Sequence, residues 1–314
     1  MNRKVIKRSI AALLMAVMVF GVVGCGNTKP AETEAKATEA PAPVATEAPV
    51  ATEVPVATEA PVEETEIQVF IAASLNTVMT EIARAYNEIN PNVKITFNAD
   101  SSGTLLTQIQ EGYECDIFFS AAQRQMDTLE EDGLVIDGTR ANVLNNQVVV
   151  IALNDSETTV TGLESLKEAE SIALAGGSVP VGRYTRQALV NLGILAEVED
   201  VSKIETITVS EALGGVEISE QDNVSKVLTA VSEGSCEVGT VYYSDTYGFE
   251  DKIKILETVS YDLTGNVIYP ICEVVNDEAD DAQKAAAADF RNFILSDEVK
   301  AILEAYYFDT NVER

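Results

Sequence analysis

From Ile67 onward the chain alternates two kinds of segment, and this alternation limits the fold more than any other feature. Short apolar runs of strand composition are separated by longer stretches whose apolar residues recur every three or four positions. Strands are expected over 67–71, 93–97, 117–120, 147–153, 171–175, 237–242, 252–256 and 266–274. Helical spacing links Val78, Ile82, Tyr86 and Ile89, then Leu105 with Ile109, Leu189 with Leu192, and Val224, Val227, Leu228 and Val231. Strands that alternate with amphipathic helices imply α/β layers built on largely parallel sheets. At 314 residues the chain exceeds what one core usually organises, so two lobes are expected.

In open α/β sheets, ligands collect beyond the carboxyl ends of strands, where helices begin. Four places fit. Two are the serines Ser74 and Ser102, each following an expected strand. The third is the loop Gly176-Gly177-Ser178-Val179-Pro180-Val181-Gly182, which opens a helix running to about Leu192. The fourth is Asp222-Asn223-Val224-Ser225, where Asn223 or Asp222 caps a helix lasting to about Glu233. Each presents free backbone N–H groups, and in two cases a hydroxyl, at the positive end of a helix dipole. A small anion can be held there without a cation. Any one such serine or asparagine also serves as a plain cap, the glycine loop as a tight connection, and Tyr242 as a core aromatic, so the reading depends on several sites converging. The glycine loop is not a P-loop, because no Gly-Lys-Ser/Thr follows at the required spacing.

The chain begins as an export signal. Arg3, Lys4, Lys7 and Arg8 precede an apolar stretch over 10–23 that is short for a membrane span, and Val22-Val23-Gly24-Cys25 looks like a bacterial lipobox. Residues 1–24 are expected to be a lipoprotein signal peptide and Cys25 the lipidated first mature residue, placing the globular part outside the cytoplasm on a membrane anchor. From there to Glu66, a six-residue Val/Ala/Thr/Glu/Pro repeat at 44–49, 50–55 and 56–61 describes an extended stalk. At about 3.1 Å per residue it spans on the order of 100 Å.

With the signal's four cations removed from the total of 21, 17 basic side chains face 51 acidic ones, a net charge of −34 with no histidine. That balance excludes nucleic acid as a partner and gives no attraction to anionic lipid. An anion site here must therefore work locally, through dipoles and hydrogen bonds. Cys115, Cys236 and Cys272 have no Cys-x-x-Cys spacing and are expected to be small buried hydrophobes, with one disulfide among them left open. No metal site is expected. Without histidine, Ser-His-Asp and Cys-His catalysis cannot exist, and no serine is followed by lysine three residues on. Paired carboxylates remain countable, so a carboxylate-dependent surface hydrolase is the alternative of a different class. The absence of tryptophan to stack on sugars speaks against it.

The ordered set Ala72-Ala73-Ser74-Leu75, Ser101-Ser102-Gly103-Thr104-Leu105, Asp116-Ile117-Phe118-Phe119-Ser120-Ala121, Val179-Pro180-Val181-Gly182, Asp222-Asn223-Val224 and Gly239-Thr240-Val241-Tyr242-Tyr243-Ser244-Asp245 resembles the molybdate-binding proteins of ABC importers, over roughly Ile67 to the C-terminus. The resemblance implies a two-lobed periplasmic-binding-protein type II fold joined by two crossover strands. Lobe 1 would comprise 67–143 and 263–314, lobe 2 would comprise 144–262, and the ligand would sit in the cleft between them. It further implies a monomer that binds molybdate or tungstate as ligand, uses no cofactor, and delivers its cargo to an ABC permease. Ser74 and Ser102 would each give a hydroxyl and an N–H, Val181 and Val224 a backbone N–H, and Tyr242 its phenol. Val181 departs from the expected alanine, and Ala175-Gly176-Gly177-Ser178 replaces a more usual Asp-Pro pair, which bears on pocket size.

A shell of donors with no carboxylate facing the ligand suits an unprotonated tetrahedral dianion over a protonated phosphate. Sulfate shares that charge and shape, so cavity size must separate it; sulfate, phosphate or an organic acid are the alternative ligands on the same fold. Asp116 and Asp245 are expected to bond backbone or hydroxyl groups near the cleft wall. Arg183 and Arg186, near the start of the third helix, are within reach of the anion but are expected at the solvated surface.

Overall fold

The computed structural model describes residues 64–313; the expected signal peptide, Cys25 and nearly all of the stalk lie outside them. Strand β1 (Thr65–Ala72) starts two residues inside the expected stalk. It leads through a short 3₁₀ turn at Ala73–Leu75 into helix α1 (Asn76–Ile89). Next come β2 (Val93–Asp100), α2 (Ser102–Gln110), β3 (Ile117–Phe119), α3 (Gln123–Glu131) and β4 (Ala141–Asn146). The chain then crosses at Gln147 into β5 (Val148–Leu153), β6 (Ser171–Ala175), α4 (Pro180–Asn191), α5 (Thr206–Ala212), β7 (Glu217–Gln221), α6 (Val224–Ser232), β8 (Val238–Tyr242) and β9 (Ile253–Thr258). It returns through α7 (Tyr261–Thr264) to β10 (Val267–Glu273), α8 (Asp281–Ile294) and α9 (Asp297–Ala305).

Two five-stranded sheets share one plan. The first has the order β2-β1-β3-β10-β4 and the second β7-β6-β8-β5-β9. In each, three neighbouring strands are parallel, and the remaining pairings are antiparallel. The sheets are therefore mixed, not largely parallel. The physical reason is the connection: β4 passes to β5 through a single residue, and that crossing gives each lobe strands running against its βα units. Two strands lack a strand signature. β4 carries three asparagines, and β7 is a polar edge strand whose Glu217, Ser219 and Glu220 are exposed. At the other extreme, Val148 to Ala152 of β5 are all fully buried, the continuous apolar run of a strand covered on both faces.

Helix α1 buries Val78, Met79, Ile82 and Tyr86 against the first sheet, while Ile89, expected on that stripe, is 64% exposed at the helix end. The three cysteines are buried and unpaired, as small hydrophobes. Among the described residues no helix is long and apolar enough to cross a membrane, and no cluster of His, Cys, Asp or Glu is arranged to hold a metal.

Candidate functional site

The carboxyl ends of the parallel trios point at one another. β1, β2 and β3 end at Ala72, Asp100 and Phe119, while β6, β7 and β8 end at Ala175, Gln221 and Tyr242. Between them lies a hollow of about 200 Å³, and Ser74, Ser102, Val181, Val224 and Tyr242 all line it. The structure thus brings together all five residues singled out from sequence, three elements from each lobe supplying the walls.

Each donor is held differently. In α2 the capping hydroxyl belongs to Ser101, which accepts from the Thr104 N–H at 3.1 Å. Ser102 is not a cap. Its fully buried hydroxyl oxygen accepts from the Ala121 N–H at 2.9 Å, so its own proton remains to be donated. Capping takes the third N–H of α2 and leaves those of Ser102 and Gly103 without an intrahelical partner. Helix α6 repeats the device: Asn223 accepts from Lys226 N–H at 3.0 Å, leaving Val224 and Ser225 at the open end. Helix α4 starts at Pro180, which has no N–H, so its unpaired first-turn donors begin with Val181. Ser74 sits in the 3₁₀ turn before α1, caps nothing, and bonds the Tyr269 hydroxyl at 2.9 Å.

Tyr242 is 1% exposed, and its phenol oxygen has no hydrogen-bond partner. Burial, and secondarily the neighbouring Tyr269 phenol, push its pKa well above the ordinary value, so it stays a donor. A buried O–H left unbonded costs about 1–3 kcal/mol, which an arriving acceptor would recover. Tyr243 turns away, 39% exposed, and packs on Tyr307.

Among the described residues no lysine or arginine lines the hollow, but one carboxylate does. Asp100 is bound there, its Oδ1 accepting from Ser101 N–H at 2.7 Å and from Asn223 Nδ2 at 3.0 Å across the cleft. The expected carboxylate-free shell is thereby corrected: a strand end brings Asp100 to the rim, with one oxygen occupied by these two donors. Other contacts join the lobes beside the hollow. Arg124 bonds Asp200 at 3.0 Å and Ser202 at 2.6 Å, and Tyr247 stacks on Tyr306 at 4.2 Å. Gly103 lies so near Ser178 that a Cβ would stand 2.7 Å from its carbonyl oxygen.

Behind this wall, Asp116 accepts from Gln68 N–H at 2.7 Å and from Asn276 and Gln283 amides. Asp245 accepts from Tyr242 N–H at 2.8 Å and faces a second, larger cavity of about 470 Å³ that Ser74 also lines. Burial lifts the Asp245 pKa to about 7, against the pull of that N–H bond.

Arg186 overturns its expected surface position. It is fully buried, donating to the carbonyls of Ile204 (2.8 Å), Ala175 (2.8 Å) and Gly182 (3.0 Å) and to the Thr206 hydroxyl (2.9 Å). Burial holds its pKa below the ordinary value. The side chain ties the end of β6 to the start of α4 and so fixes where Val181 stands. Gly182 allows this closeness, since a Cβ there would lie 2.3 Å from the Ala175 and Gly176 oxygens. Arg183 is half-buried and absent from the hollow's lining. The sequence signal for Arg186 was its spacing, four residues after Gly182 and three before Leu189, on the buried stripe of α4.

Two lobes of mixed sheet around a donor-lined hollow, with helix N-termini aimed into it, define the class of two-lobed solute-binding proteins. The chain belongs to the bacterial extracellular solute-binding proteins, whose family pattern matches residues 67–309. It is 28% identical to YvgL of Bacillus subtilis, named for an ABC transporter substrate-binding lipoprotein, over 78% of this chain and 87% of that one. It is likewise 28% identical to the molybdate-binding protein ModA of Mycobacterium tuberculosis, over 77% of this chain and 76% of that one. A solved structure, the substrate-binding domain assigned to a molybdenum ABC transporter of Clostridium difficile, is 30% identical with a TM-score of 0.57, covering 80% of this chain and all of that one.

Proposed function

We propose that this protein captures molybdate or tungstate in the hollow between its lobes and hands it to an ABC importer permease. The observation that carries the reading is the unbonded, buried Tyr242 hydroxyl in a pocket whose other donors, the Ser74 and Ser102 hydroxyls and the first-turn N–H groups at Val181 and Val224, come from both lobes. These uncharged donors suit an anion that only accepts, and each N-terminus adds roughly half a positive charge in dipole terms. The names of ModA and of the Clostridium difficile domain support molybdate as cargo. The oxyanion is a transported ligand and not a cofactor, and nothing in the donor set requires a reaction.

The protein works outside the cytoplasm as a single chain, held to the membrane by a lipid on Cys25 after removal of 1–24. The lipobox-like Val22-Val23-Gly24-Cys25 and the lipoprotein name of YvgL support that anchor. Calorimetric titration with molybdate, tungstate and sulfate is the direct test. Tight binding of the first two with weak sulfate binding is expected; no heat from any of the three overturns the reading. A sulfate preference would keep the receptor and change its cargo.

A further inference from the structure

Ser74 differs from Ser102 in how its hydroxyl is held, and the groups behind it determine which way its proton points. Asn146 is buried at the crossing between the sheets, and its Oδ1 accepts from Gln147 N–H at 2.9 Å, which fixes the amide orientation. Its Nδ2 therefore faces Ser244 Oγ at 2.8 Å and the Tyr269 phenol oxygen at 3.2 Å, donating to both. With its oxygen occupied as acceptor, the Tyr269 phenol directs its proton to the other group it bonds, Ser74 Oγ at 2.9 Å. Burial pushes the Tyr269 pKa well above the ordinary phenol value, so the proton is not lost. Ser74 then accepts from behind, and its own O–H is left to donate toward the hollow it lines.

We infer that Asn146 and Tyr269 are positioning residues: they form a one-way chain of hydrogen bonds that turns Ser74 into a donor for the bound oxyanion. Neither lines the hollow. This role rests on the oxyanion reading above and extends it to two residues that touch no ligand. Chains of this kind polarise each successive O–H, so the last donor is stronger than an isolated serine. The arrangement parallels Ser102, whose oxygen is occupied from behind by Ala121 N–H, with a side-chain relay in place of a backbone amide.

The test is a double-mutant cycle on the full chain, read by calorimetric titration with molybdate. Tyr269→Phe keeps the ring, which packs edge-on to Tyr242 and Phe308, and removes only the relay. It is expected to weaken binding about tenfold alone, yet by less than twofold when added to Ser74→Ala. A Tyr269→Phe affinity within twofold of the unaltered protein overturns the role, as does an equal loss in both backgrounds, which is what a purely structural effect gives. If Tyr269→Phe does not fold, Asn146→Asp decides. It keeps the bond to Gln147 N–H but can only accept from Tyr269, which reverses the chain and turns lone pairs of Ser74 to the hollow. Its loss should be larger with Ser74 present than in the Ser74→Ala background, where only the added charge acts; equal losses overturn the role. Unaltered protein that binds none of molybdate, tungstate and sulfate overturns the oxyanion reading and this role with it, whereas binding with an unaffected Tyr269→Phe overturns this role alone.

Discussion

The two lobes build their halves of the hollow from the same three parallel strand ends but with different chemistry. Lobe 1 sets two hydroxyls, Ser74 and Ser102, each oxygen engaged from behind, beside the open N–H groups at the start of α2. Lobe 2 offers main-chain N–H groups at the starts of α4 and α6, and one phenol. A hydroxyl can be deleted by substitution, whereas a backbone donor survives any change of its own side chain except to proline. Lobe 1 is therefore vulnerable at the wall of the hollow, and lobe 2 is vulnerable behind it, at the residues that place its backbone.

That contrast breaks most directly at Arg186. Arg186→Leu leaves three carbonyls and the Thr206 hydroxyl without their buried donor, and is expected to destabilise the protein by about 3–5 kcal/mol in chemical unfolding. A cost under about 1 kcal/mol would mean that the backbone of lobe 2 holds itself. Next in size is Asp245, beneath Tyr242. Its pKa, lifted by burial to about 7, lies above the ordinary carboxyl value of 3.8, so between these values the folded chain binds a proton that the unfolded chain has released. Stability should fall as pH rises from about 4 through 7 and level off above, by roughly 4 kcal/mol relative to Asp245→Asn, which retains an acceptor for Tyr242 N–H. Parallel pH–stability curves for the two proteins would remove this charge from the account of lobe 2.

At the wall itself, Ser102→Ala should weaken molybdate binding by about 2 kcal/mol, since hydrogen bonds to charged partners exceed neutral ones. Because Ser101 caps α2, thermal stability without ligand should move far less than affinity. Unchanged affinity would show that Ser102 serves only Ala121. Smallest of all, Val181→Ala and Val224→Ala should shift molybdate affinity by less than about 0.5 kcal/mol, their donors being main-chain, while altering the molybdate-to-sulfate ratio through cavity size. A tenfold loss would assign those methyl groups, not the N–H groups, to the ligand.

The strand ends and helix starts around the hollow were legible in sequence because apolar periodicity, glycine and capping residues mark them locally; Asn223 caps α6 where the pattern placed it. Ser101 and Ser102 could not be told apart as cap and wall, since both are serines and only Ala121, nineteen positions beyond Ser102, distinguishes them. β7 escaped because an edge strand with one neighbour needs little apolar character, and β4 because its asparagines serve the crossing. Strand direction in the antiparallel halves depends on where Gln147 carries the chain, which periodicity does not encode. Arg186, Asn146 and Tyr269 owe their roles to partners distant in sequence, and residue type alone favours the surface for the first and the core for the last.

The close approach of Gly103 to Ser178 has a mechanical consequence. With hydrogen the largest group tolerated at that point, one added methyl would act as a wedge between the start of α2 and the loop before α4. Gly103→Ala would then hold the donors of the two lobes farther apart, stretching the reach from one wall of the hollow to the other.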